Sequence, residues 1–227
     1  KHIRPGATNT IVFLVVNPAN PIEDSPDKQK ATEPTGMINY IGNWGGIYGS
    51  VELEASSPAR IDGVAIVPDI HKQQARFRLT IHSDEARPSY AASVEVEVDR
   101  FRASAPVTIQ PGGDTSVEVT VDMPAARLWS PDSPHLYTAT IRLLSSGAER
   151  DRLAERFGMR EITTRGSQLL LNGKPFYLRG FGDDNIEVIS GVPPASKSVY
   201  LERIRMAKSY GFNGVRFHSM TPVREYF

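Results

Sequence analysis

The stretch that decides the fold is Val94-Glu95-Val96-Glu97-Val98-Asp99, together with its echo Val117-Glu118-Val119-Thr120-Val121-Asp122. Valine alternates with a charged or hydroxyl side chain in both. A repeat of two places the apolar members on one face of an extended chain and the polar members on the other, as in an antiparallel strand with one wet side. Working outward, Phe77, Leu79 and Ile81 alternate with Arg76, Arg78 and Thr80, and Tyr137, Ala139 and Ile141 alternate with Thr138, Thr140 and Arg142. Turn-forming clusters separate these runs: Arg87-Pro88-Ser89, Pro111-Gly112-Gly113-Asp114 and Pro131-Asp132-Ser133-Pro134. With residues 51–54 and 61–67 added upstream, the spacing predicts a sandwich of about seven strands between residues 57 and 156.

Composition narrows the classes of function. Lysine plus arginine number 26 and aspartate plus glutamate 26, so the 227-residue chain carries no formal net charge. Polyanions and anionic membranes therefore gain no general attraction, which argues against nucleic-acid and membrane-surface roles. The longest unbroken apolar run, residues 11–16, is far short of the roughly 20 residues of a spanning helix. With no cysteine, the chain has no disulfide, no Cys-bound zinc or iron–sulfur cluster and no thiol nucleophile. The five histidines lack metal-ligand spacing, and neither a phosphate-binding glycine loop nor a serine nucleophile elbow is present. No metal or cofactor is expected.

The flanks differ from the middle. Residues 10–16 look strand-like. Residues 17–46 form a long stretch rich in Pro, Asn and Gly that carries Tyr40 and Trp44 at its end. Residues 1–56 hold too few strands to close a sandwich and read as the tail of a preceding β domain. After residue 157 the rhythm changes. Residues 168–171, the turn Asn172-Gly173 and residues 176–178 read as a hairpin. Residues 198–210 carry a helical stripe of Leu201, Ile204 and Ala207 with Met206 or Tyr210, closed by Gly211. Residues 213–217 read as a buried strand, and Thr221-Pro222 as a helix start. Strand, helix, strand, helix implies parallel βα units. Only 70 residues follow position 157, and an eight-fold βα barrel takes roughly 250, so only its opening would fit. Lys1 in place of an initiator methionine and the short run after Thr221 lead us to expect an excerpt of a longer polypeptide.

Four phrases, in order, resemble glycoside hydrolase family 2, the group of β-galactosidases, β-glucuronidases and β-mannosidases. Gly45-Gly46-Ile47-Tyr48 resembles the end of that family's sugar-binding jelly roll. Leu128-Trp129-Ser130-Pro131 with Pro134-His135-Leu136-Tyr137 is similar to a segment near the end of its immunoglobulin-like domain. Phe157-Gly158-Met159-Arg160-Glu161-Ile162, followed by Leu170-Leu171-Asn172-Gly173-Lys174-Pro175 and Leu178-Arg179-Gly180, resembles the entry to its barrel. Gly211-Phe212-Asn213-Gly214-Val215-Arg216 resembles the second barrel strand. The resemblance implies a mainly β chain. Residues 1–56 would be the C-terminal part of a jelly roll, 57–156 an immunoglobulin-like β-sandwich, and 157–227 the truncated start of a TIM barrel.

It further implies a retaining glycosidase, in which two carboxyl groups about 5–5.5 Å apart flank the scissile bond. In the family both are glutamates on later barrel strands, so none is expected within this chain. Glu187, Glu202 and Glu225 read as loop or surface charges. Arg216 matches the family's arginine that holds the nucleophile ionised, or else is a structural ion-pair arginine. The family more often has Arg-x-Ser-His where this chain has Arg216-Phe217-His218-Ser219, so His218 falls one position early. It is either a sugar contact or an internally satisfied histidine. Asp183 and Asp184, where the family often has Asn-Arg-His, bind sugar hydroxyls, bind a cation or cap a turn. Trp44 and Tyr40 offer a stacking platform or hinge packing, and Trp129 is expected in the sandwich edge. The implied partner is a carbohydrate glycoside, with homo-oligomers open and the compartment undetermined. The competing reading is a non-catalytic carbohydrate-binding or interaction module on the same scaffold.

Overall fold

The computed structural model describes residues 4, 6–14, 47, 51–183, 194, 196–217 and 222–227. One compact unit spans Leu53–Tyr177, and a second takes in Lys1–Glu52 and Leu178–Phe227. In the first, seven strands follow one another: β1 (Ala59–Asp69), β2 (Gln74–Ser83), β3 (Tyr90–Val98), β4 (Phe101–Ile109), β5 (Gly113–Asp122), β6 (Tyr137–Ser145) and β7 (Ala148–Phe157). They pair antiparallel into a three-stranded sheet, β1-β2-β5, and a four-stranded sheet, β4-β3-β6-β7. The chain changes sheet after β2, β4 and β5, as in immunoglobulin-like sandwiches.

The valine rhythm does what it predicts. Phe77 and Ile81 on β2, Val94 and Val98 on β3, Val121 on β5, and Ala139 and Ile141 on β6 are all sealed from solvent. Their neighbours carry the charges outward, pairing Arg78 with Glu118 at 3.2 Å and Arg142 with Glu97 at 3.1 Å across adjacent strands. Such pairs contribute little each; burial of the valine rows is the dominant stabilising term.

Strand β1 follows a different parity. Ala59 and Ile61 face the core before Asp62, and Val64 and Ile66 after it. The register with β2 slips between Ile61 and Gly63, so one bulged residue turns the strand over. The Ile61 amide beside the bulge donates to the Asp151 carboxylate of β7 at 2.7 Å, tying the edges of the two sheets together. Tyr137 opens β6 with only 5% of its surface exposed. Its phenolic oxygen accepts the Arg127 backbone N–H at 2.8 Å, a tyrosine corner that holds the β5–β6 connection against the sandwich.

Strands β8 (Ile162–Arg165), β9 (Gln168–Leu171) and β10 (Lys174–Pro175) form a small meander in order β10-β9-β8. The Asn-Gly turn sits where expected, with both residues at positive φ, Asn172 at 51° and Gly173 at 75°. Two details differ from the sequence reading. The return strand is Lys174–Pro175 rather than residues 176–178, and β8 precedes the hairpin. Ile162–Arg165 is exposed throughout, so no alternation marks it.

A clasp joins this meander to the sandwich. The Asn172 side chain accepts the Glu161 amide at 2.9 Å and donates to the Trp129 carbonyl at 3.0 Å. The Trp129 amide donates to the Met159 carbonyl at 2.8 Å, and the Arg160 guanidinium lies over the indole at 4.5 Å. Trp129 is half-buried in this seam. A Cβ on Gly158 would stand 2.8 Å from the Trp129 Cβ, so glycine is required there for space. Gly158→Ala is expected to cost about 1–3 kcal/mol by overpacking, measured by urea unfolding. In a Trp129→Ala background most of that cost should vanish; an undiminished cost there would refute the steric account.

The second unit contains β11 (Gly180–Asp183), α1 (Lys197–Ser209), β12 (Gly214–Phe217) and a 3-10 turn, Arg224–Tyr226. The helix ends in a Schellman motif: Gly211, at φ 81°, donates to the Lys208 carbonyl at 3.0 Å and Phe212 to the Ala207 carbonyl at 3.1 Å. The expected apolar stripe is met in part, with Ile204 and Ala207 half-buried. Tyr200 is the buried residue of α1, whereas Leu201, Met206 and Tyr210 are 42%, 58% and 79% exposed. Tyr200 is long enough to reach the rings beyond α1.

Residues 10–14 and 51–54, expected as strands, have no strand structure, and Val12, Leu14 and Leu53 are more than four-fifths exposed at 85%, 88% and 81%. A strand exists only through a neighbour's hydrogen bonds, and no described residue supplies that ladder here. Most of the anticipated jelly-roll tail, including Tyr40 and Trp44, lies outside the described residues.

Candidate functional site

Strands β11 and β12 pair in parallel, with Gly180 beside Gly214, Phe181 beside Val215, Gly182 beside Arg216 and Asp183 beside Phe217. With α1 between them in the chain, they make a β–α–β unit. Asn213 sets the register: its side-chain oxygen accepts the Arg179 amide at 2.7 Å and its own amide donates to the Arg179 carbonyl at 2.9 Å. The C-terminal ends of such strands are where barrel and open α/β proteins bind ligands. Asp183 and Arg216 both lie at that end.

They do not share a face. Side chains alternate along each strand, so Arg216 stands with Gly180, Gly182 and Gly214, and Asp183 with Phe181, Val215 and Phe217. Rings cover the latter face. Phe181 meets Phe212 edge-on at 5.3 Å, and Phe217 meets Tyr226 at 4.7 Å. Tyr226 also meets Tyr200 of α1 at 5.1 Å, and the Tyr200 hydroxyl donates to the Pro194 carbonyl at 2.5 Å. Burial among these rings, reinforced by the Asp183 carboxylate, pushes the Tyr226 phenol above its ordinary range. Asp183 therefore belongs to the ring-covered side.

The opposite face is lined by glycine at three of four positions, leaving Arg216 exposed. Among the described residues it makes no ion pair. A cation on a face of glycines, with the Leu178 side chain lying over Gly214, suits an anionic group, whether a carboxylate of another strand or one on a ligand. His218, Asp184 and Glu187 lie outside the described residues. Glu202 is exposed on α1, and Glu225 is half-buried in the 3-10 turn. Tyr200 and Tyr226, which shape the covered face, were not singled out from sequence; their aromatic character at a helix position and near the end of the chain was the available signal.

Within the sandwich unit, a cavity of about 530 Å³ opens between β1 and β7, lined by Val64, Ile66, Pro68, Glu155, Arg156 and Arg160 with the Phe157-Gly158 backbone region. Among the described residues no three His, Asp or Glu side chains are grouped to hold a metal ion, and no helix is long and apolar enough to cross a membrane.

The fold defines the class first: an immunoglobulin-like sandwich whose last strand runs through a clasped meander, in a chain that also holds a parallel β–α–β unit. The family model of glycosyl hydrolases family 2 matches residues 59–160, the sandwich together with the Trp129–Met159 seam. Over those residues the chain is similar to the glycosyl hydrolases of family 2. It is 26% identical over 197 residues to a β-glucuronidase of Paenibacillus borealis, covering 82% of this chain and 32% of that protein. It is 34% identical over 106 residues to a β-galactosidase of Aeromonas hydrophila, covering 45% of this chain and 10% of that protein. Among solved structures, a family 2 β-galacturonidase from Eisenbergiella tayi, bound to glycerol, superposes with a TM-score of 0.65 at 25% identity. That match covers 75% of this chain and 30% of the other. The chain thus spans about a third of the length of the β-glucuronidase it matches.

Proposed function

We propose that this chain is part of a retaining glycoside hydrolase that hydrolyses O-glycosidic bonds in carbohydrates. In this reading, residues 1–56 end a jelly roll, 57–156 are the immunoglobulin-like domain and 157–227 open a TIM barrel. The observation that carries it is the family 2 match across the whole sandwich, in a chain whose β–α–β unit presents Arg216 at the C-terminal strand end. The two carboxylic acids lie beyond residue 227, and the chain alone has no hydrolytic activity. Arg216 faces the nucleophile and keeps it ionised. His218, Asp184 and Trp44 remain candidate sugar contacts; Asp183 is the weakest, because its strand face is the ring-covered one.

The test uses the longer polypeptide encoding this chain, assayed beside residues 1–227 on nitrophenyl glycosides of neutral sugars and of uronic acids. The expected result is release of nitrophenol by the longer protein with retained anomeric configuration by NMR, and none by the 227-residue chain. Inverted configuration would exclude the double-displacement mechanism. Turnover by the chain alone would place the acids inside it, and micromolar sugar binding without turnover by the longer protein would favour a binding module.

A further inference from the structure

Outside the strand-end site, the most ordered set of titratable side chains crosses the outer face of the three-stranded sheet. Arg60 of β1 is paired in register with His82 of β2, and His82 with Asp114 of β5. Directly opposed cations on neighbouring strands repel, and the intervening Asp84, just past the end of β2, reconciles them. Its two oxygens lie 2.7 Å from Arg60 Nη1 and 3.1 Å from His82 Nε2. On the other side of the ring, Nδ1 lies 2.7 Å from the Asp114 carboxylate. The row therefore reads Arg60, Asp84, His82, Asp114, alternating in sign across all three strands. Asp62, 3.8 Å from Arg60, and Asp151 of β7, which also raises the proton affinity of Arg60, are the further charges against it.

The ring geometry specifies the protonation state. A neutral imidazole has one N–H and one lone pair. Both nitrogens of His82 face carboxylates, which only accept, so a neutral ring would set a lone pair against an anion. Only the imidazolium satisfies both contacts. Hydrogen bonds donated to Asp114 and then to Asp84 raise the affinity of His82 for its proton, and those received from Arg60 and then His82 hold Asp84 below the usual carboxylate range. The row also sits where β1 begins: the Asp84 amide donates to the Pro58 carbonyl at 2.9 Å.

We propose that His82 stands as a doubly donating imidazolium between Asp114 and Asp84, and that this row is a pH-sensitive fastening of the N-terminal end of β1 to its sheet. The group binds its proton more tightly folded than unfolded. The stabilisation is therefore complete below the unfolded histidine value of about 6.5 and fades as pH rises through the higher folded value. Above that, the row loses one positive charge, and Asp114 keeps no cationic partner on the ring.

The test follows the imidazole resonances of the 227-residue chain by NMR across pH, with the His82 signal assigned by its loss in His82→Gln. The expected midpoint lies above that of free histidine. It should fall in Asp114→Asn and, to a smaller extent, in Asp84→Asn. Amide hydrogen exchange at Arg60 and Ile61 should quicken several-fold above the midpoint in the native chain, beyond the intrinsic base-catalysed rise, and show no such step in His82→Gln. A midpoint at or below the free-histidine value, or one unmoved by both aspartate variants, overturns the assignment of an imidazolium. Exchange without a step overturns the fastening. Backbone-to-ring correlation in the isotope-labelled native chain assigns the same resonance without a variant, so the native titration decides the first point by itself.

Discussion

Truncation of Phe77 to alanine is expected to remove about 3–5 kcal/mol from the stability of the sandwich, the range found when a large buried aromatic is deleted. Phe77 is fully sealed in the middle strand of the three-stranded sheet. It is paired with Ile66 of β1 on one side and Val119 of β5 on the other. Its ring crosses to the other sheet, meeting Phe157 of β7 edge-on at 5.7 Å, and Phe157 in turn lies 5.8 Å from Tyr137 of β6. One side chain thus joins both layers, and the surrounding strands cannot collapse on the space it leaves without giving up their ladders. Urea unfolding should show a lower midpoint with an unchanged slope. A loss below about 1 kcal/mol would mean the core is centred elsewhere. If Phe77→Ala does not fold, Phe77→Leu, a smaller volume change, should fold and cost about 1.5 kcal/mol or less.

The second large effect is catalytic and rests on the proposed function. In the longer polypeptide, Arg216→Ala should lower kcat/KM on its glycoside by roughly a hundredfold, the scale on which removing one preorganised polar group from a reacting centre acts. The guanidinium would lower the nucleophile's pKa, so its loss should also move the acid limb of the pH–rate profile upward. That displacement separates an electrostatic role from a structural one. Thermal unfolding of the variant should be nearly unchanged, because Arg216 is exposed on a face of glycines and makes no ion pair among the described residues. A variant that is inactive only because it is unstable, or one with an unmoved profile, would assign Arg216 to the scaffold.

Comparison of particular elements shows why some of this was readable in the residues and some was not. The rows on β2, β3, β5 and β6 were legible because each faces one wet and one dry side, and two-fold alternation is the direct imprint of that environment. The Asn172-Gly173 turn was legible because its positive φ angles demand those residue types. The second role of Asn172, holding Glu161 to Trp129, was not, since its partners lie 11 and 43 positions away. Strand β8 was missed because, exposed on both faces, it carries no pattern. Residues 10–14 erred the other way, with the apolar character of a strand but no partner among the described residues. The position of Arg216 at a strand end followed from the resemblance. Its separation from Asp183 onto the opposite face came from the register of two strands thirty-odd residues apart.

By itself the chain of residues determined the sandwich, its inward rows, its turns and the helix with its glycine stop. These depend on near neighbours and on one boundary between water and apolar interior. Only tertiary structure decided which strands make up each of the two sheets, the reversal of β1 at Asp62, the seam around Trp129, the charge row through His82 and the face Arg216 occupies. Each depends on which distant strand lies alongside and in what register, and a one-residue slip there exchanges every inside residue for an outside one.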